Sequence, residues 1–317
     1  MSIAIPAIEA RDVWKRYDRA PVLRGLSVAV AEGTVYGLLG RNGSGKTTLL
    51  HILLGLLHPD RGEALVRGRK PADAVESIGY LPERVRFHPH ITPLEYLRAL
   101  GVMTGLRGAA LDARCRDLVA LVGLESDAGR QIGGFSKGMV QRLGVAQALL
   151  ADPRLLLIDE PTSGLDPAGQ FEMLALLDRV RAQGQTILMC THQIPEVERF
   201  CDVVGVLAGG TIADEARVAD LPTRGARLVT RGDLPADVAA ELIRLGAEIV
   251  DREVRIAGDE AAQQSALRLA LDRGLSVVEF GPLTGGVEKF YREVIASAKP
   301  DGSAYPYLKG REVGGEG

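Results

Sequence analysis

The segment Gly40 to Thr48, GRNGSGKTT, constrains the fold more than any other stretch, because it sets a glycine-rich turn between the apolar run VYGLLG (35–40) and the helical TTLLHILLGLL (47–57). Residues 40–47 match GxxxxGK[ST], a loop whose backbone N–H groups can curl around phosphate oxygens when a buried strand leads in and a helix leads out. In that setting Lys46 bridges β- and γ-phosphate oxygens and Thr47 ligates Mg²⁺, while Gly40, Asn42, Gly43, Ser44, Gly45 and Thr48 complete the cradle. In a chain with 38 glycines among 317 residues the match is expected by accident only about 0.01 times.

Short apolar runs and helical periodicity keep alternating after this loop: RLLLIDE, then FEMLALLDRVRAQ, then TILMCT. Strands alternating with helices predict an α/β domain with a parallel sheet over residues 1–222. Residues 84–150 break the rhythm and read as an inserted helical subdomain. Past LPTRG (221–225) the order becomes βαββαβ, which predicts a small ferredoxin-like α+β module over 223–298. The Gly-rich end, 299–317, reads as a flexible tail.

Composition narrows the partners. A net charge of -3 offers no basic excess to neutralise a phosphate backbone, so nucleic acid is not an expected partner. The three cysteines, Cys115, Cys190 and Cys201, lack disulfide-framework or zinc-site spacing and suit a reducing cytosol. No window approaches eighteen uninterrupted apolar residues, so the chain is not expected to span a bilayer by itself.

LLLIDE (155–160) predicts a buried strand that delivers two carboxylates at its C-terminal end, the edge where open α/β sheets bind ligands. Asp159 there would hold Mg²⁺ directly or through water, and Glu160 would orient and polarise an attacking water. Asp166 and Pro167 read as the N-cap and first-turn proline of the next helix.

A second anion-seeking turn occurs at GGFSKGMVQR (133–142), where Ser136 reads as the cap of another helix. A helix start offers unpaired N–H groups and about half a positive charge, which suits a phosphate tail.

Taken with the phosphate loop, LLLIDEP, SGLD (163–166) and Thr191-His192, this turn makes residues 8–220 resemble an ATP-binding-cassette (ABC) ATPase, the nucleotide-hydrolysing subunit of ABC transporters. YLPE and SKGMxQR further resemble ATPases of ABC-2-type exporters and of nitrous-oxide-reductase maturation systems. The resemblance implies ATP and Mg²⁺ as cofactors, and two chains stacked head to tail. Ser136 and Gly138 of one chain would then contact the nucleotide held by the other. It implies that His192 contacts the γ-phosphate, that Tyr17 stacks on adenine and that Asp166 lies at the dimer interface. Its partners would be a second copy or a homologous ATPase subunit, and a polytopic membrane permease that docks near Phe87 to Leu100. That places the chain in the cytoplasm, at the inner face of the membrane.

Two positions depart from the family pattern. Glu83, in IGYLPE, stands where a Gln is usual, and can itself ligate metal. Lys137 replaces a residue of the usual signature wording, while Ser136 and Gly138 are kept. Two other readings compete: a soluble ABC ATPase acting on a ribosome, DNA or metalloprotein assembly, and a small-molecule kinase. The kinase leaves the signature turn and His192 unexplained.

Overall fold

The computed structural model describes residues 5–18, 20–221, 225–257, 260–282 and 285–297. The tail at 299–317, expected to be flexible, lies outside them. In chain order the first part holds β1 (Ile8–Tyr17), β2 (Ala20–Val30), β3 (Val35–Leu39), α1 (Lys46–Leu53), β4 (Arg61–Val66) and β5 (Ile78–Leu81). Next come α2 (Pro93–Gly101), α3 (Gly108–Leu121), α4 (Lys137–Ala148), β6 (Leu155–Asp159), α5 (Pro167–Arg181), β7 (Thr186–Thr191), α6 (Ile194–Phe200), β8 (Val203–Ala208) and β9 (Thr211–Arg217). The second part holds β10 (Gly225–Thr230), α7 (Ala236–Arg244), β11 (Ala247–Val250), β12 (Glu253–Ala257), α8 (Glu260–Asp272), β13 (Val277–Pro282) and α9 (Gly286–Ser297).

The central sheet runs β5-β6-β7-β3-β8-β9, with all pairs parallel except the last. Every residue of β3, β6 and β7 is buried. Continuous apolar runs such as LLLI form such strands because both faces of a parallel sheet are covered. The consequence for function lies at the strand ends: β3 delivers the phosphate loop, β6 the two carboxylates and β7 Thr191 and His192, all on the C-terminal edge.

A separate antiparallel sheet, β2-β1-β4, was not anticipated from the sequence. α1 packs against β2, β4 and β6. Leu49, Leu50, Ile52 and Leu53 are buried with Ile8, Leu23, Leu26, Leu38, Leu155 and Leu188, giving one core shared by both sheets. Each such side chain contributes about 1.5–3 kcal/mol on burial, so the helix that opens at Lys46 is firmly seated.

The region between β5 and β6 is helical, as expected. α2 opens with a capping box in which the Thr92 N–H donates to Glu95 Oε2 at 2.8 Å and the Glu95 N–H donates to Thr92 Oγ1 at 3.3 Å.

The described residues divide into two compact units, one up to Val218 together with those from Tyr291 on, and the other Ala219–Phe290. The first boundary comes slightly before the expected 222, because β9 closes the central sheet at Arg217. The second falls at Phe290 rather than 298, inside the continuous helix α9. In the second unit β10-α7-β11-β12-α8-β13 forms a four-stranded antiparallel sheet ordered β11-β12-β10-β13. Its core joins Leu228, Val254 and Ile256 of the sheet to Val238, Leu242, Ala266 and Ala270 of the helices.

Candidate functional site

The turn after β3 closes through glycine. Gly45 adopts φ 111°, and a Cβ there would fall 2.7 Å from Leu23 Cδ2, so both backbone conformation and space demand glycine. Gly45 is also the N-cap of α1 and supplies no side-chain cap. The first N–H groups of this helix thus have no side-chain acceptor at its start, where an anion is favoured.

A cavity of about 480 Å³ opens over this helix start, lined by Val22, Arg41, Asn42, Gly43, Gly45, Lys46, Thr47, Thr48, Glu83, Asp159 and Glu160. Lys46 is 6% exposed and donates to the Gly40 carbonyl at 2.7 Å, while its Nζ lies 3.2 Å from Glu160 Oε1. Thr47 donates to Asp159 Oδ2 at 2.8 Å. Burial is the main cause that raises the Asp159 pKa, opposed by the hydrogen bond from Thr47 and reinforced by the nearby Glu160 carboxylate. The hydroxyl of Ser44 is buried without a hydrogen-bond partner, an orphaned donor inside the cradle.

Glu160 follows the last residue of β6 with φ 47°, the left-handed region, so it leaves the strand sharply. That turn aims its carboxylate between two partners. Oε1 faces Lys46, and Oε2 lies 2.8 Å from His192 Nδ1. An ionised carboxylate only accepts, so Nδ1 carries the proton in this arrangement. His192 sits just after β7 with its side chain 46% exposed.

The remaining expected residues lie elsewhere. Ser136 caps α4, accepting from the Met139 N–H at 3.3 Å, and Asp166 caps α5, accepting from the Gly169 N–H at 2.9 Å. Both caps match the sequence reading. Neither Ser136, Gly138, Asp166 nor Tyr17 lines the cavity around Lys46. Tyr17 ends β1 and is 45% exposed. Glu83 does line the cavity, and its Oε1 accepts from the Ser163 hydroxyl at 3.5 Å. The ammonium of Lys137 lies so close to Gly164 that a Cβ there would come within 2.1 Å of Nζ.

Behind Glu160 and His192 lies a cluster that sequence reasoning missed. Glu196, on α6 and 4% exposed, accepts from Thr191 Oγ1 at 2.7 Å and is hydrogen-bonded to Thr162 Oγ1. Gln193 donates from its N–H to Thr191 Oγ1 at 3.0 Å and from Nε2 to Thr162 Oγ1 at 3.1 Å. Burial pushes the Glu196 carboxyl up to about 7, against the pull of the Thr191 hydrogen bond. No spacing rule singles out these residues, because they meet only when the turn after β6 and the start of α6 come together.

The ABC transporter family model matches residues 23–163. An uncharacterized ABC transporter ATP-binding protein of Nostoc sp. is 38% identical over 203 residues, covering 63% of this chain, and the chain spans only 61% of that relative's length. The Nod factor export ATP-binding protein I of Burkholderia lata is 40% identical over 210 residues, covering 65% of this chain and 69% of that protein. Among solved structures, a dimeric post-hydrolysis ATP-binding cassette bound to ADP and Pi matches with a TM-score of 0.60 and 25% identity, over 67% of this chain and 98% of that one. By these likenesses in sequence and fold the chain belongs to the ATP-binding proteins of ABC transporters.

Proposed function

We propose that this chain binds and hydrolyses ATP as one half of a head-to-tail dimer and uses dimer closure to power an exporter-type membrane permease. One observation carries the reading: the two anion-seeking turns do not share a cavity. Lys46, Thr47, Asp159 and Glu160 line one site, while Ser136 and Gly138 are absent from its lining. A second chain would supply them.

The geometry supports a division of labour. Lys46 is held by the Gly40 carbonyl and Glu160; phosphates bound in the cradle would take over these contacts. Released from Lys46, Glu160 orients and polarises water, and His192, already held at Glu160 Oε2, keeps that water in line with the γ-phosphate. Thr47, Asp159 and Glu83 form an all-oxygen donor set, which fits Mg²⁺. When bound, the ion neutralises charge on the phosphates. Tyr17 is proposed to stack on adenine and Asp166 to face the partner copy.

For the membrane partner, the supporting feature is a groove of about 380 Å³ lined by Ile78, Tyr80, Leu100, Met103, Gln147 and Leu150, among others. It lies between β5 and the helical region, and Met103 is 82% exposed beside it. Of the proposed contact segment Phe87 to Leu100, only Leu100 lines the groove. No described helix is long and apolar enough to cross a membrane. The proposed contact with a permease would place the chain at the cytoplasmic face of a membrane. The Burkholderia relative is named for Nod factor export, which supports the exporter class and leaves the cargo of this chain open.

The test is turnover as a function of assembly. Specific ATPase activity should rise with protein concentration as dimers form, and the chain should copurify with a polytopic membrane protein. Full-speed hydrolysis by a chain shown to remain monomeric during turnover would overturn the dimer reading. Copurification with ribosomes, DNA or a metalloprotein assembly in place of a membrane protein would overturn the transport reading.

A further inference from the structure

We propose that Glu196 is a positioning residue for hydrolysis: its buried carboxyl ties the loop carrying His192 to the turn that carries Glu160, and so sets where the water-polarising pair stands. The inference rests on the ATPase reading and adds to it a residue that does not line the cavity around Lys46.

The hydrogen-bond accounting shows why this carboxyl is more than filler. Thr191 and Thr162 each have one hydroxyl proton, and each oxygen already accepts from Gln193. With Glu196 ionised, the Thr162 proton goes to its Oε1 and the Thr191 proton to its Oε2 at 2.7 Å, which is much nearer than the other acceptor of Thr191, Glu160 Oε2 at 3.5 Å. Among the described residues Glu196 makes these hydrogen bonds and no ion pair. A carboxylate without a cation would be an expensive choice for holding two threonines, since burying a charge is costly unless it is compensated.

The position of the two threonines makes it useful. Thr191 is the last residue of β7 and directly precedes His192. Its hydroxyl stands 2.7 Å from Glu196 Oε2 and 3.5 Å from Glu160 Oε2, which is also the atom that meets His192 Nδ1 at 2.8 Å. Thr162 is fully buried in the turn between Glu160 and the Asp166 cap. Glu196 thus spans the two segments that carry the catalytic pair. By drawing the Thr191 proton at the shorter distance it also leaves His192 as the nearer partner of Glu160 Oε2. Small displacements of such a pair cost rate steeply, because near-attack geometry is lost before binding is.

The test uses the full chain and three substitutions. Glu196→Ala removes both acceptors; Glu196→Gln keeps the shape and can accept from one threonine while donating to the other; Thr162→Val removes one hydroxyl at nearly constant volume. Steady-state hydrolysis, affinity for a fluorescent ATP analogue and thermal melting are read for each. Glu196→Ala should lower kcat about ten- to a hundredfold, with nucleotide affinity within about threefold of the parent. Glu196→Gln should recover kcat to within about threefold, and Thr162→Val should lower it severalfold. Combining Glu196→Ala with Thr162→Val should be no worse than Glu196→Ala alone, because both act through one connection.

Parental kcat in Glu196→Ala overturns the proposal. So does a parallel fall of affinity, kcat and melting temperature in Glu196→Ala and Thr162→Val that Glu196→Gln fails to reverse, which is the signature of a packing role. If Glu196→Ala does not fold, parental kcat in Thr162→Val overturns it equally. A parent chain with no ATPase activity would instead refute the underlying reading, so the two failures are distinguishable.

Discussion

Lys46 Nζ stands 3.2 Å from Glu160 Oε1, an ion pair in which the two side chains are 6% and 9% exposed. The lysine that would grip the phosphates and the carboxylate that would polarise water are therefore each other's counter-charge. Replacing Lys46 by Ala should weaken ATP binding about a hundredfold, roughly 2.7 kcal/mol. It should also lower the melting temperature of the nucleotide-free chain, since it strands a buried carboxylate. Equilibrium binding and calorimetry check both, and unchanged affinity would remove Lys46 from the phosphate site.

Glu160→Gln should abolish turnover and spare ATP binding. The amide keeps the shape and still meets His192, but cannot act as a base. With hydrolysis blocked, the closed dimer should accumulate and be visible by light scattering with ATP and not with ADP. Parental turnover in this variant would reassign the water-polarising group.

The absence of Ser136 from the lining of the Lys46 cavity predicts complementation. Chains carrying Lys46→Ala and chains carrying Ser136→Glu should each be inactive. An equal mixture should regain about a quarter of the parental activity, because half the dimers are mixed and each mixed dimer holds one intact composite site. An inactive mixture of two folded variants would mean that the sites are not shared.

Glu83 adds a third carboxylate to a cavity already holding Asp159 and Glu160. Glu83→Gln should tighten ATP binding in the absence of metal by a few-fold, about 1 kcal/mol for one charge at this range. Titration with fluorescent ATP in chelator reads the change; weaker binding would show that Glu83 aids the phosphates.

The Glu196 carboxyl gives stability a pH signature. Its pKa rises from 4.5 to about 7 on folding, chiefly through burial, with Glu160 adding to the rise and His192 opposing it. The folded state then holds a proton that the unfolded chain releases, so stability falls as pH climbs from about 4.5 to 7 and stays reduced above it. Glu196→Gln removes that penalty, on the order of 3 kcal/mol. The melting-temperature gain of this variant over the parent should be larger at pH 8 than at pH 5; an equal gain at both would place the folded pKa near its ordinary value.

The phosphate loop, the two carboxylates of LLLIDE, the caps Ser136 and Asp166 and the βαββαβ order of the second unit were all legible in the sequence. Each depends on contacts within a few residues or on a periodicity that burial imposes locally. The β2-β1-β4 sheet was not legible, because the β1-β2 hairpin has an irregular, bulged register and β4 reaches β1 only from beyond α1. The family resemblance already implied that Ser136 serves the other chain's site, in keeping with its absence from the Lys46 cavity, but no spacing rule shows that Tyr17 lies off that cavity.

Glu196 marks the limit most clearly. In HQIPEVERF it is one acidic residue of a short amphipathic helix, with the ordinary prospect of an exposed charge. What buries it is the parallel pairing of β6 with β7, which brings Thr162 and Thr191 together from separate segments. Local chemistry decided which groups can bind phosphate. Long-range strand order decided which carboxyl stands behind them, because a hydrogen-bond network buried between segments exists only once the sheet has assembled.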